Sequence, residues 1–171
     1  MTEPPENARG VAQQPFAGTV VIGLGNPLMG DEGIGIRLIA EFTRRPSGGE
    51  YADVLFLDAG TAGVGILHAI ARKRKAVFLD CVLMGEQPGT IRRFSPGGVR
   101  SRKTLGRFSF HEADLLGILE LSRKLGEYPE EVVIFGIEPR NIAPGASLSP
   151  ALEARVQEYA AMIRSELSSP P

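Results

Sequence analysis

Val20-Val-Ile-Gly-Leu-Gly-Asn-Pro-Leu-Met-Gly-Asp-Glu-Gly-Ile-Gly-Ile-Arg37 decides the fold: an apolar run of strand length passes through a glycine turn into a segment of helical spacing that opens on two acids. A helix N-terminus carries about half a positive charge and unpaired N–H donors, so it favours an anion. Nucleotide folds place a phosphate there, whereas here Asp31 and Glu32 supply the charge. Gly23-x-Gly25-x-x-Leu28 lacks the third glycine that a dinucleotide fingerprint uses for close helix–strand packing, and the two acids would repel a pyrophosphate. The spacing Gly25-x-x-x-x-Gly30 fits a phosphate-binding P-loop, yet Asp31 and Glu32 stand where that loop needs Lys and Ser or Thr. Both departures point away from nucleotides.

Outward from this stretch, apolar runs at 19–24, 52–57, 76–79 and 131–135 read as buried strands, with 89–94 a candidate extra strand. Segments 32–44, 63–72, 110–124 and 150–166 show helical spacing. This alternation predicts an α/β three-layer sandwich with a mostly parallel, mixed central sheet flanked by helices. Ser109-Phe-His-Glu112 fits a capping box and sets His111 in the first turn of a helix, while Ser149-Pro150 offers an N-cap followed by proline at the first helical position. Residues 1–17, rich in Pro, Glu, Gln and Asn, and residues 168–171 read as tails around a single domain over 18–167.

A chain of 171 residues suits one domain that buries roughly 70% of its unfolded surface without disulfides or a structural metal, so any metal here is expected to be functional. Nineteen basic against twenty acidic residues give a formal charge of −1, and no global field selects nucleic acid or membrane as a partner. Cys81 alone permits no internal disulfide, and no signal-peptide pattern opens the chain. No apolar run reaches the roughly 20 residues that span a bilayer. A soluble, cytoplasmic protein is the expectation, and a monomer.

In an open α/β sheet the functional crevice lies outside the carboxyl ends of the strands. Glu32 follows the first strand's turn, Asp58 ends the second strand, Asp80 ends the third, and His111 opens a helix that can return to the same edge. Glu32, Asp80 and His111 make an oxygen, oxygen, nitrogen set that suits zinc, nickel, manganese or iron and leaves positions open for water or substrate. A divalent cation would neutralise the repulsion between the two carboxylates, and a helix N-terminus keeps His111 neutral, the metal-binding form. Taken singly these residues have a plainer reading, Glu32 and His111 as helix N-terminal residues and Asp80 as a turn cap.

Gly23-x-Gly25-Asn26-x-Leu28-x-x-Asp31-Glu32-x-x-Gly35, then Asp58-Ala-Gly-Thr-Ala-Gly63, Asp80, and His111 before a leucine-rich helix, resembles the nickel–iron hydrogenase maturation endopeptidases. The likeness runs from Val20 to Ser165 and includes Phe135-Gly-Ile-Glu-Pro139 and Leu148-Ser-Pro150. It implies a protease that trims a C-terminal peptide from a hydrogenase large-subunit precursor after nickel insertion, with the family's metal ligands falling on Glu32, Asp80 and His111. The nickel would be carried by the precursor as a checkpoint, with other divalent metals substituting in vitro. A metal-polarised water removes the need for a Ser or Cys nucleophile, and Asp58 would orient water or substrate. The family's Asp-Gly-Gly-Thr block, associated with sensing nickel, falls on Asp58 to Thr61, with Ala59 at its second place.

Other features read more plainly. Cys81, flanked by apolar residues on its strand, is expected to be an inert core thiol, and His68 a structural or surface histidine. Glu138 precedes Pro139 and suits a turn, so it stays outside the ligand set. Arg92, Arg93, Arg100, Arg102, Lys103 and Arg107 form a basic stretch that would either dock an acidic surface or simply be solvated. Val21-Ile-Gly-Leu-Gly-Asn-Pro27 also looks like the opening of peptidyl-tRNA hydrolases, but the chain continues into Asp31-Glu-Gly-Ile-Gly35 and has no histidine before His68. A non-catalytic nickel-binding accessory protein would use the same three ligands.

Overall fold

The computed structural model describes residues 17–44, 51–61, 63, 65–98 and 112–168. The expected tails over 1–16 and 169–171, the capping residues 109–111 with His111, and the basic stretch from residue 100 to residue 107 lie outside the described residues.

Strands β1 (Thr19–Leu24), β2 (Val54–Gly60), β3 (Lys75–Cys81), β4 (Ile91–Phe94) and β5 (Glu131–Ile137) form a five-stranded sheet in the order β2-β1-β3-β5-β4. The first three and β5 run parallel, and β4 joins the edge antiparallel to β5. The helices are α1 (Ile34–Thr43), α2 (Gly65–Ile70), α3 (Glu112–Lys124), α4 (Pro150–Glu153) and α5 (Val156–Ser168).

Period-two alternation divides the core between the two faces of the sheet. Val21, Val77, Leu79, Val133 and Phe135 pack against α1 and α5, while Val20, Ile22, Ala76, Phe78, Val132 and Ile134 pack against α2 and α3. Strands covered on both faces carry continuous apolar runs, which is why β1 and β3 are buried at every position. The edge strand β2 is only partly covered, with Phe56 stacked on Phe42 of α1 at 5.0 Å between ring centroids.

Helix α1 lies closer to the sheet than any side chain would allow. A Cβ on Gly35 would collide with the carbonyls of Leu24 and Leu79. The close helix–strand packing for which Leu28 stands at the wrong place is therefore supplied from inside the helix, at Gly35.

Several boundaries differ from the pattern reading. Asp31 and Glu32 sit in a 3-10 turn, Gly30–Gly33, ahead of α1, because the Asp31 backbone N–H is drawn out of the helix to the Asn141 carbonyl at 3.1 Å. The segment 150–166 is divided into α4 and α5 at Ala154, whose N–H turns back to the Leu152 and Pro150 carbonyls. Ser149 stands at the N-cap with extended backbone and Pro150 follows it, but its hydroxyl makes no capping bond. At the ends, Ala17 donates to the Arg72 carbonyl at 3.2 Å and Ser168 closes α5, so both belong to ordered structure.

At the amino ends of β3 and β5 a small ion network ties the sheet to α5. Lys75 Nζ lies 2.6 Å from Glu166 and 3.1 Å from Glu131, and Arg93 bridges the same two acids. The hydrogen bond from Arg93 leads in holding the Glu166 carboxyl below its usual 4.5, with burial opposing and Lys75 adding to the shift. A depressed carboxylate pKa stabilises the fold above the unfolded value and loses that contribution as pH falls through the folded one. Glu166→Gln is expected to cost about 1–2 kcal/mol at neutral pH, given that Arg93 is half exposed. The gap from the parent chain should close as pH is lowered below the carboxylate range, measured by urea denaturation across pH.

Candidate active site

The turn after β1 is fixed by its first acid. Asp31 is fully buried, and its Oδ2 accepts from the backbone N–H groups of Arg140 at 2.8 Å and Asn141 at 3.0 Å, while Oδ1 accepts from that of Ser149 at 2.6 Å. The Gly30 N–H adds a bond to the Gly145 carbonyl at 2.8 Å, and the Gly145 N–H one to Leu28 at 2.9 Å. A carboxylate that accepts several main-chain N–H bonds is compensated for burial and is held in place by them. Asp31 thus joins the turn to the segment leaving β5, and Glu32 beside it is half-buried. The Glu32 carbonyl packs so tightly on Gly25 that a Cβ there would overlap it.

Asp80, the penultimate residue of β3, is 2% exposed. Strand alternation puts it on the side of Ala76 and Phe78, the face covered by α2 and α3. Helix α3 is the one that His111 precedes, so the fold brings that helix to the Asp80 face, although His111 itself lies outside the described residues. The 3-10 turn that carries Glu32 packs against β3, which carries Asp80 and Cys81. Burial first, then the charges of Asp80, Glu32, Asp31 and Glu138, push the Cys81 thiol far above its ordinary pKa. Buried and protonated, Cys81 is no nucleophile.

The structure does not bring Asp58 into this group. It is exposed near the end of the edge strand β2, paired in register with Gly23, and shares the parity of Phe56, which packs on the α1 side. Its Oδ1 accepts from the Gly60 N–H at 3.0 Å. Ala59, one residue on, turns to the opposite face and rests its methyl against the α2 and α3 core, so the methyl group is accommodated.

Glu138 is almost fully buried, and its Oε2 accepts from the N–H groups of Met84 at 2.6 Å and Glu86 at 3.2 Å in the loop that follows Asp80 and Cys81. His68 is exposed on α2. Arg92 pairs with Glu86 at 2.8 Å and Arg93 with Glu131 and Glu166, so the two described cations of the basic stretch are answered by acids outside it. A cleft of about 470 Å³ opens on the α1 side between Pro27, Gly33, Ile36 and Leu148; neither Glu32 nor Asp80 lines it. Among the described residues, no three His, Cys, Asp or Glu side chains gather closely enough to hold a metal ion. Glu32 and Asp80 supply two hard oxygen donors, and the third ligand expected from sequence is His111.

The profile of the family described as hydrogenase maturation protease matches residues 36–166. The chain belongs to that family. It is 30% identical over 139 residues to the hydrogenase 2 maturation protease of Escherichia coli, an alignment covering 81% of this chain and 83% of that one. It is also 30% identical over 141 residues to the hydrogenase expression/formation protein HoxM of Cupriavidus necator, covering 81% of this chain and 68% of HoxM. Among solved structures, the hydrogenase maturating endopeptidase HybD from E. coli superposes with a TM-score of 0.75 at 27% identity, over 87% of this chain and 91% of that one. The family fold is thus the mixed, mostly parallel sheet described above. No helix among the described residues is long and apolar enough to cross a membrane.

Asp31→Ala strips three part-buried N–H groups of their acceptor and is expected to cost about 3 kcal/mol in a denaturant titration. Asp31→Asn keeps one acceptor oxygen and should cost less.

Proposed function

We propose that this chain is the endopeptidase that removes a C-terminal peptide from the nickel-loaded large-subunit precursor of a nickel–iron hydrogenase. The observation that carries the reading is that the chain belongs to the maturation protease family and that the turn after β1, with Glu32, packs against β3, whose penultimate residue is the buried Asp80. Its similarity to the hydrogenase 2 maturation protease of E. coli supports the same substrate class.

In this reading nickel arrives as part of the substrate. Glu32, Asp80 and His111 engage it, which sets the scissile peptide beside a water that the metal polarises, the metal serving as Lewis acid. Two carboxylates in a largely dry corner repel each other until a divalent cation joins them, so the site favours a precursor that carries its metal over one that does not. Asp58, exposed on the edge strand, meets the arriving precursor from outside this corner. Cys81 takes no part. The chain works as a monomer in the cytoplasm, and a second divalent metal held by the precursor would substitute for nickel in vitro.

A peptidyl-tRNA hydrolase would need a basic RNA-facing surface. Arg92 and Arg93, the described members of the basic stretch, are instead paired with Glu86, Glu131 and Glu166.

The test is the intact mass of the cognate precursor after incubation with the protein, with and without nickel in the precursor. Nickel-dependent loss of a C-terminal peptide is the expected result; binding without cleavage would favour a nickel carrier instead. Asp80→Asn is expected to slow processing by at least about 100-fold, and a variant that trims the precursor at the parent rate would remove Asp80 from the ligand set.

A further inference from the structure

Glu138 is a buried carboxylate that the reaction does not use, and its bonds are all directed at one loop. Its Oε2 holds the N–H groups of Met84 and Glu86, its own N–H donates to the Thr90 carbonyl at 2.9 Å, and its carbonyl accepts from Gly89 at 2.8 Å. One residue earlier, the Ile137 carbonyl accepts from Val82 at 2.9 Å. The chain from residue 82 to residue 90, which begins two residues after Asp80, is therefore pinned along its length by the exit of β5. Eleven residues after Glu138, the segment that begins there finishes its clasp on Asp31, through Arg140, Asn141 and Ser149. Glu32 is the next residue to Asp31. A single stretch, 138–149, thus holds the turn that carries Glu32 and the loop that follows Asp80.

We propose that Glu138 is a positioning residue for the reaction, setting the Asp80 side of the site relative to Glu32 through its bonds to the Met84 and Glu86 backbone. The inference rests on the proposed function above. Its physical basis is that groups which orient metal-binding or reacting side chains matter through geometry, and displacement of a reacting group by an ångström slows turnover steeply. Oε2 accepts both bonds from the loop, so what counts is an acceptor at that point in space, and the negative charge is dispensable.

Position and charge are separated by a pair of variants. Glu138→Gln retains an acceptor oxygen at the same reach without charge; Glu138→Asp retains the charge but withdraws the oxygen by one methylene. With nickel-loaded precursor, Glu138→Asp is expected to lower kcat by about 10–100-fold with KM within about twofold, and Glu138→Gln to restore most of the rate. Amide hydrogen exchange at Met84 and Glu86 should quicken in Glu138→Asp and stay near the parent rate in Glu138→Gln. A Glu138→Gln variant as slow as Glu138→Asp overturns the inference in favour of a role for the charge. Parent-like turnover by Glu138→Asp, or a loss that tracks only the fraction folded, overturns it in favour of plain stability. Should the parent protein fail to cleave the precursor, the proposed function falls, and unchanged exchange in Glu138→Asp would still decide against the inference by itself.

Discussion

The carboxylate of Asp31, accepting three main-chain N–H bonds from a segment more than a hundred residues away, is the contact around which the site is arranged. A buried ionised carboxylate is costly unless its lone pairs are filled, and charge-assisted bonds from rigid backbone fill them with little left over. The consequence is mechanical as well as energetic. The turn after β1 cannot shift without breaking bonds to the chain leaving β5, so the position of Glu32 is set by two elements that are not neighbours in the sheet: β3 lies between them.

Four acids crowd the carboxyl ends of β1, β3 and β5, and the structure divides their labour. Asp31 and Glu138 are occupied by backbone donors. Glu32 and Asp80 are the pair that the proposed function would turn to substrate. All four charges bear on the Cys81 thiol, which is why the chain's single cysteine, although adjacent to Asp80, belongs to the core. The dense packing that makes this possible comes from the approach of α1 to β1 and β3 at Gly35.

The layered fold was legible because it is written in local pattern. Val20 to Leu24 and Ala76 to Leu79 are continuous apolar runs, and only strands covered on both faces need such runs. Glu32 and Asp80 were singled out for a related reason, since chemistry in open sheets sits just past strand ends. What could not be read depends on contacts between distant parts of the chain. Asp31 and Glu32 look equivalent as neighbouring acids, and what separates them is a set of N–H groups from residues 140–149, which leave no side-chain signature. Glu138 before Pro139 resembles any turn residue until the loop after β3 is laid against it. Asp58 has the right place at a strand end but the wrong parity, and parity near a register shift such as that between Gly23 and Leu24 is set by the whole sheet. The division of the last helix at Ala154 likewise left no proline or glycine to announce it.

That Asp31 and Glu138 hold backbone and not side chains has an evolutionary corollary. Between residues 139 and 149 the identity of most side chains is immaterial to the clasp, so drift in sequence there should be cheap, with proline the exception wherever it would delete a donating N–H. Length is another matter: one residue inserted or deleted between Asn141 and Ser149 would shift the Ser149 donor relative to the other two. The segment should therefore diverge freely by substitution while refusing indels, a pattern easily mistaken for an unimportant loop.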